Sequence, residues 1–504
     1  MHTFSDPMTY AERMFGRRLA VVCGDVRLTY AEVADRSRRL IGALDSLGLE
    51  SGDRVAILSA NSHQYIEYYQ AVPAGGYVIV PLNTRHAAPE LRYALEDAGA
   101  KVLLTDRDVG DLSECVQHVI RLDTEYEGLI AGATPRDFAT DAHEDSLAGL
   151  FYTGGTTGAS KGVMLSHRNL IANTFHSMKL LELDQDSVYM VMAPLFHAAG
   201  SNSVLACTWT GGVQVAVPAF TAEETLDLVA RERVTDTLGV PTMMAAMAEL
   251  QLTEPRDVSS LRSFAHGGSP IATEVVRRSH QAFPEAELVH LYGATETAPL
   301  ATCLRHEERV LESERARSCG QPVPGVDVRI FNDAGDEVPT GEVGEVAIRG
   351  ANVMRGYWNK PEQSAEVLRA GWYYSGDLGF ADDEGYVFLV DRKKDMIVTG
   401  GENVYSTEVE DVLYRHPGVL EAAVFGVPDP QWGEAVLAVV VARDASAPVA
   451  AEDLVKFCRE SLAGYKVPKR IEVQAAELPK SGPGKILKRE LRAPYWEGRS
   501  ESIS

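Results

Sequence analysis

The sequence predicts an α/β fold in two domains: a large N-terminal domain over residues 1–390, built of αβ sheet layers plus a β region, and a small mobile α+β domain over 391–504. Three observations predict it. Apolar runs of strand length alternate with helical patterns as far as Thr297. Past Gly320 the texture changes to short strands punctuated by Gly, Pro and Asp, and a charged run, Asp391-Arg-Lys-Lys-Asp395, closes that region. At 504 residues the chain also exceeds what one hydrophobic core usually organises.

In chain order, apolar residues fall at helical spacing from Tyr30 to Leu47 behind Thr29, a capping residue, and Val55-Ala-Ile-Leu reads as a buried strand. The alternation continues with a helix around Tyr65 to Val72, strand Val78-Ile-Val-Pro-Leu, helix Ala88 to Ala98 and strand Lys101-Val-Leu-Leu-Thr. Asn83, Thr84 and Arg85 read as a solvated turn. Ser166 to Leu181 reads as a helix, and the strand from Val188 ends in Pro194-Leu-Phe-His197. A second αβ series places strands at Val213-Gln-Val-Ala-Val, Val240-Pro-Thr-Met and Leu288-Val-His-Leu, with helices Glu223 to Glu232 and Glu274 to Ala282. Val326-Asp-Val-Arg-Ile-Phe and Gly344-Glu-Val-Ala-Ile-Arg predict an antiparallel β region.

With 45% apolar and 24% charged residues the composition is that of a globular enzyme. The net charge of -24 argues against nucleic acid, whose binding needs clustered Lys and Arg, and against an anionic membrane surface. From Asp391 onward there are 16 Lys+Arg against 18 Asp+Glu, so that piece carries only -2 of the -24 and suits an anionic ligand. The six cysteines lack metal-ligand spacing and read as reduced thiols. No signal peptide or transmembrane helix is expected, which places the protein in the cytoplasm; a homodimer is compatible with the sequence.

Residues 151–163, Phe-Tyr-Thr-Gly-Gly-Thr-Thr-Gly-Ala-Ser-Lys-Gly-Val, combine four glycines, three threonines, a serine and a lysine. Glycine lets backbone amides form a concave nest and lysine supplies a point charge, a combination that suits a polyphosphate. A Walker A loop is excluded, because Lys161 is followed by Gly162 rather than Ser or Thr. Alone, this stretch is equally compatible with a flexible surface loop.

The ordered set Tyr152-Thr-Gly-Gly-Thr-Thr-Gly-Ala-Ser-Lys-Gly162, Pro194-Leu-Phe-His197, Tyr292-Gly-Ala-Thr-Glu296, Tyr374-Ser-Gly-Asp377, Asp391-Arg392-Lys393, Gly400-Gly-Glu-Asn-Val and Pro479-Lys-Ser-Gly-Pro-Gly-Lys485 resembles the adenylate-forming superfamily of acyl-CoA synthetases, adenylation domains and luciferases. The resemblance spans nearly the whole chain. It implies activation of a carboxylic acid by ATP and Mg²⁺, with CoA as acceptor. Charge developing at the α-phosphate and on pyrophosphate must then be offset by cations and amide donors.

By resemblance, Thr153, Gly154, Gly155, Thr156, Thr157, Gly158 and Lys161 grip the β- and γ-phosphates. The chain departs from the usual pattern at Gly155, where serine is common, and at Ser160, where proline is common. Glu296 becomes the Mg²⁺ ligand together with Thr153, and Thr295 an α-phosphate contact. Gly267, Gly268, Ser269 and Pro270 form the strip against which adenine lies, with Tyr292 and Gly293 beside it. Asp377 and Arg392 fix ribose and phosphates. Lys485, at the tip of a glycine-rich loop, bridges the carboxylate and the α-phosphate, and is implied to be catalytic with Glu296 and His197. Asp391 is the expected hinge, about which the small domain rotates to present Gly400, Gly401, Glu402 and Gly433 to the pantetheine arm of CoA.

The acyl pocket implied by the family positions comprises Phe196, His197, Ala198, Gly200, Pro241, Thr242, Met243, Ala265, His266, Gly267 and Ala298. These residues are mostly small and apolar, which suits a fatty or aryl tail. No acidic residue is placed to hold a substrate ammonium, so amino acids are disfavoured. His266 either hydrogen bonds a ring substituent or is a satisfied core histidine. The expected activity is an acid–CoA ligase acting on a medium- to long-chain fatty acid, with an aryl or hydroxycinnamate CoA ligase as the alternative and acyl transfer to a carrier protein as a third reading.

Overall fold

The computed structural model describes residues 3–139, 142–153, 160–269, 271, 273–444, 446–480 and 486–496. Internal contacts divide the chain into two compact units, Met1–Val328 with Ile348–Tyr373, and Arg329–Ala347 with Tyr374–Ser504. Asp391 lies inside the second unit, which takes in strand residues on the N-terminal side of it.

The first unit holds two sheets. One has six strands in the order His118–Arg121, Ala100–Thr105, Arg54–Leu58, Val78–Pro81, Leu147–Thr153 and Lys161–Ser166, all parallel except the last. The other has nine. Six parallel strands, Glu287–Tyr292, Ser263–Gly267, Asp236–Gly239, Val188–Val191, Val213–Ala216 and Leu19–Cys23, form its middle. Antiparallel strands flank them, Thr302–Arg305 and Gln321–Pro322 on one side and Val26–Thr29 on the other.

Local signals explain several helices. Thr29 accepts from the Glu32 amide while the Glu32 carboxylate accepts from the Thr29 amide, a reciprocal cap that starts Tyr30–Ser46. Ser166 and Asn169 do the same for His167–Leu180, and Ala88–Ala98 has the expected bounds. Helix His63–Ala74 is buried over most of its circumference and ties the two sheets together. Its Tyr68 hydroxyl donates to Val55 O at 2.7 Å and accepts from Val80 N at 2.8 Å, while Gln70 donates to Thr208 Oγ1 at 2.6 Å and the Tyr69 hydroxyl to Leu195 O.

Val240-Pro-Thr-Met is not a strand. The strand is Asp236–Gly239, Val240 is a helix cap, and Pro241 opens helix Pro241–Thr253. Proline has no N–H to lose in a first helical turn and its φ is already helical. Methionines at 243, 244 and 247 leave this helix without a one-sided apolar stripe, so its periodicity is weak. Strand Ser263–Gly267 and helix Ala198–Thr210 also have no counterpart among the expected elements.

Strand Trp372–Ala381, which enters the second unit at Tyr374, pairs antiparallel with Val387–Arg392 from Asp377↔Arg392 to Ala381↔Val387. Beyond it a five-stranded sheet runs Glu402–Val404, Ile397–Thr399, Gly433–Ala442 and Val419–Asp429, with Arg470–Gln474 joining Gly433–Ala442 in parallel. Alternate residues of Gly433–Ala442 face opposite ways. Val436, Ala438 and Val440 pack with Val409 and Val412 of helix Ser406–Tyr414 and Leu454 and Cys458 of Ala451–Ser461. Leu437, Val439 and Val441 pack with Leu491 and Tyr495 of Lys488–Trp496. Helices on both faces of a mixed sheet make this an α+β body.

Candidate active site

In the first unit, Thr153 ends one strand and pairs with Lys161, which begins the next. Thr153 and Lys161 therefore stand opposite each other at adjacent ends of an antiparallel pair. Gly154, Gly155, Thr156, Thr157, Gly158, Pro270 and Lys485 lie outside the described residues. On its other side, strand Lys161–Ser166 is paired by the segment 354–358: Met164 N donates to Gly356 O at 2.9 Å and Trp358 N to Gly162 O at 2.8 Å. That pairing sets Tyr357 beside the lysine. The Lys161 ammonium lies 4.8 Å from the centroid of the Tyr357 ring, and the Tyr357 hydroxyl donates to Glu296 Oε1 at 2.8 Å. Burial, and then the neighbouring Glu296 charge, push the Tyr357 phenol well above its ordinary pKa, so it stays a donor.

Glu296 sits in the tight turn Thr295–Thr297, beyond strand Glu287–Tyr292. Met354 N donates to Glu296 O at 2.8 Å, Ala294 N to Thr297 Oγ1 at 3.0 Å, and the Asn352 amide to Thr297 O and Leu300 O at 2.7 and 2.6 Å. The turn is thus fixed from both sides. Among the described residues no group of three or more His, Cys, Asp or Glu side chains could hold a metal ion by itself. A hard cation that takes most of its ligands from phosphate oxygens and water needs few carboxylates from the protein. Glu296, with Thr153, fits that donor set.

Gly267 and Gly268 are glycine for different reasons. A Cβ on Gly267 would meet Leu291 O at 2.4 Å, so close packing of neighbouring strands excludes one. Gly268 has φ of 80° and open space before it. Ser269 follows in the same bend. Tyr292 closes the adjacent strand, and Gly293 is held where a Cβ would collide with Pro299 O.

His266 is fully buried. Its ring stacks on His290 at 4.8 Å and on His306 at 5.2 Å, and its Nε2 lies 3.0 Å from His306 Nε2. Burial, together with the neighbouring rings, holds His266 well below the usual imidazole value. Burial lowers His290 to about 4 and His306 to about 3. Among the described residues, the structure joins His266 to this stack.

His197 caps helix Ala198–Thr210, its ring 4.4 Å from that of Phe196. Burial, then the positive neighbours Arg85 and His86, lower it to about 4. Its loop is pinned by Asn61, whose amide donates to Val191 O and Ala193 O and whose oxygen accepts from Leu195 N. Thr242 and Met243 lie in the first turn of Pro241–Thr253, and Ala298 adopts φ of 60°. An apolar cavity of about 20 Å³ is lined by Ala199, Ser203, Leu238, Leu291, Pro299 and Leu300 among others. It has room for about one water.

In the second unit, Asp377 and Arg392 are register partners, with Arg392 Nε 3.3 Å from Asp377 Oδ1. Buried Asp391 accepts from the amides of Arg392, at 2.7 Å, and Ser406. Burial raises the Asp391 carboxyl while Lys488 opposes the rise; Lys488 donates to Glu410 Oε1 at 2.7 Å and Ser406 Oγ at 2.6 Å. Gly400, at φ of 61°, donates to Trp432 O at 2.8 Å, and a Cβ on it would lie 2.8 Å from the Trp432 ring. Thr399 pairs with Glu402 and with Gly433, so Gly400, Gly401, Glu402 and Gly433 gather at one end of neighbouring strands. Tyr357, the three-histidine stack and Trp432 were not singled out by sequence reasoning. Only the exposed tryptophan beside Gly433 carried a local signal.

A family model described as AMP-binding enzyme matches residues 9–358, and one described as AMP-binding enzyme C-terminal domain matches 408–485. A feruloyl-CoA synthase of Amycolatopsis sp is 42% identical over 484 residues, 96% of this chain and 97% of the relative. A long-chain-fatty-acid–CoA ligase of Mycobacterium tuberculosis is 34% identical over 481 residues, 94% of each. The solved structure of o-succinylbenzoate coenzyme A synthetase from Bacillus subtilis, in complex with ATP and magnesium ion, matches with a TM-score of 0.87 and 30% identity over 96% of this chain and 98% of the other.

Proposed function

The chain belongs to the AMP-binding enzyme family, and from that premise we propose that this AMP-forming acid–CoA ligase acts on an aryl-substituted acid of the hydroxycinnamate kind. The observation that carries the ligase reading is the meeting of Lys161 and Glu296 around Tyr357, beside the Thr153–Lys161 hairpin.

In the first half-reaction a carboxylate oxygen of the acid attacks the α-phosphorus of ATP, and the bond to pyrophosphate breaks. Lys161 offsets charge at the pyrophosphate end, and Glu296 and Thr153 would hold Mg²⁺, which when bound would supply charge neutralisation at the phosphates. His197 and the turn after Tyr292 border the reacting acid, and Lys485 stabilises charge as it develops. Asp377 accepts from ribose hydroxyls, with Arg392 alongside. Gly400, Gly401, Glu402 and Gly433 are the groups proposed to meet the pantetheine arm of CoA in the second half-reaction. The thiol of CoA attacks the acyl carbon, its proton passes to solvent, and AMP leaves.

The aryl reading is supported by the similarity to the feruloyl-CoA synthase and by small residues such as Ala198 and Ala298 in the proposed pocket. The similarity to the long-chain-fatty-acid–CoA ligase supports the fatty-acid reading as the second. Six thiols without disulfides suit a cytoplasmic enzyme. The test is purified protein with MgATP, CoA and matched aryl and saturated acids, read by mass spectrometry for acyl-CoA and by pyrophosphate release. Turnover of hydroxycinnamates above any saturated acid is expected. Preference for saturated chains reverses the substrate order, adenylate without thioester points to a carrier-protein acceptor, and no pyrophosphate with any acid refutes the ligase reading.

A further inference from the structure

We propose that Tyr357 is a positioning residue for both ends of the nucleotide site, its hydroxyl orienting the Glu296 carboxylate and its ring face holding the Lys161 ammonium. This inference rests on the proposed MgATP site. Lys161 and Glu296 are long side chains, each of which loses rotamer freedom when fixed on a ligand. Tyr357 is neither long nor free. Its backbone bridges to Val163, its amide donates to Ser364 Oγ at 2.8 Å, its neighbour Trp358 donates to Gly162 O at 2.8 Å, and the residue is only 6% exposed.

From that anchored ring, a charge-assisted hydrogen bond of 2.8 Å ends on Glu296 Oε1. The Lys161 ammonium lies 4.8 Å from the ring centroid, within the range in which an aromatic face attracts a cation. Both charged groups meet the tyrosine, and among the described ion pairs none joins Lys161 to Glu296 directly. A direct Lys161–Glu296 ion pair would satisfy both groups without a ligand and would have to be broken to admit phosphate and metal. A shared phenol orients each charge while leaving it available, which lowers the ordering cost of binding.

The hydroxyl and the ring can be tested separately. Equilibrium binding of ATP is measured by calorimetry with Mg²⁺ and with EDTA for wild type, Tyr357→Phe, Tyr357→Leu, Glu296→Gln and the double variant Tyr357→Phe/Glu296→Gln. Tyr357→Phe keeps the ring and is expected to weaken MgATP about tenfold while changing metal-free ATP less than about twofold, as for loss of one hydrogen bond to a charged group. Tyr357→Leu is expected to weaken metal-free ATP as well. In the Glu296→Gln background the Phe substitution should add less than about twofold, because its effect runs through the carboxylate.

MgATP binding by Tyr357→Phe equal to wild type, or an undiminished Phe effect in the Glu296→Gln background, overturns the positioning role of the hydroxyl. Metal-free ATP affinity unchanged in Tyr357→Leu overturns that of the ring. Melting temperatures of the variants separate a binding loss from a folding loss. If Tyr357→Leu fails to fold, Tyr357→Met, which keeps much of the bulk without an aromatic face, takes its place, and the same weakening of metal-free binding is expected, its absence again overturning the role of the ring. Absence of MgATP binding by the wild-type chain overturns this inference together with the functional reading beneath it.

Discussion

Acid should weaken the folded chain well before carboxylates titrate, and the histidine stack sets the size of the effect. An unfolded imidazole titrates near 6.5, whereas His290 and His306 are lowered to about 4 and about 3 in the fold, first by burial. Between those values the unfolded state binds the extra protons. Stability is therefore fully present above pH 6.5 and is lost as the pH falls through the 6.5-to-3 window. At pH 5 the linkage amounts to about 2 kcal/mol for each of the two rings, about 4 kcal/mol together. His266, lowered in the same direction, adds to that. Against a typical total of about 5–15 kcal/mol this is a large fraction. Buried Asp236 works the other way, because its raised carboxyl favours the folded state as the pH drops.

Urea midpoints by near-ultraviolet circular dichroism from pH 7.5 to 5.0, at constant ionic strength, measure the net loss. Chemical shifts of 13C-labelled histidine identify its source. The stack resonances should stay flat to pH 5 in the native state while the midpoint falls. Resonances that titrate near pH 6.5 would refute the reasoning, since the rings would then not be held neutral by burial.

Three further outcomes are expected. Glu296→Gln keeps the shape of the turn but removes the anionic oxygen, and pyrophosphate release at fixed Mg²⁺ should fall by about a hundredfold or more, in the range for loss of one preorganised charge contact; partial recovery at high Mg²⁺ would accompany it. Lys485→Ala should suppress pyrophosphate formation far more than thioester formation from supplied acyl-AMP, and equal losses in the two assays would remove its assigned role. Lys488→Met strands the Asp391 and Glu410 carboxylates, which share that ammonium. A cost of about 3–5 kcal/mol is expected in urea unfolding, largely restored by Lys488→Arg; a cost below about 1 kcal/mol would mean the group is effectively solvated.

What could be read in advance divides by the range of the interaction. The caps at Thr29 and Ser166 were legible because donor and acceptor are three residues apart, and the parallel αβ layers because each strand's burial is written into its own apolar run. Helix Pro241–Thr253 was not, because a helix apolar on most sides carries no period. At the candidate site, Lys161 and Glu296 were legible as charged groups in glycine-rich and strand-end contexts. Tyr357 was not, since its hydroxyl meets a carboxylate 61 positions away through strand register. The same holds for the histidines. His266 faces His290 because Ser263–Gly267 and Glu287–Tyr292 pair in one register, and a slip of one residue would turn its ring to the opposite face of the sheet. Gly267 and Gly268 carry the lesson furthest: the dipeptide suggested one flat surface for a base, yet Gly267 answers to a carbonyl on the next strand and only Gly268 opens onto free space. A ligand strip there would consequently be narrower than the sequence implied, because a side chain at Gly267 would break the strand packing, whereas one at Gly268 would meet open space and be opposed only by its φ of 80°.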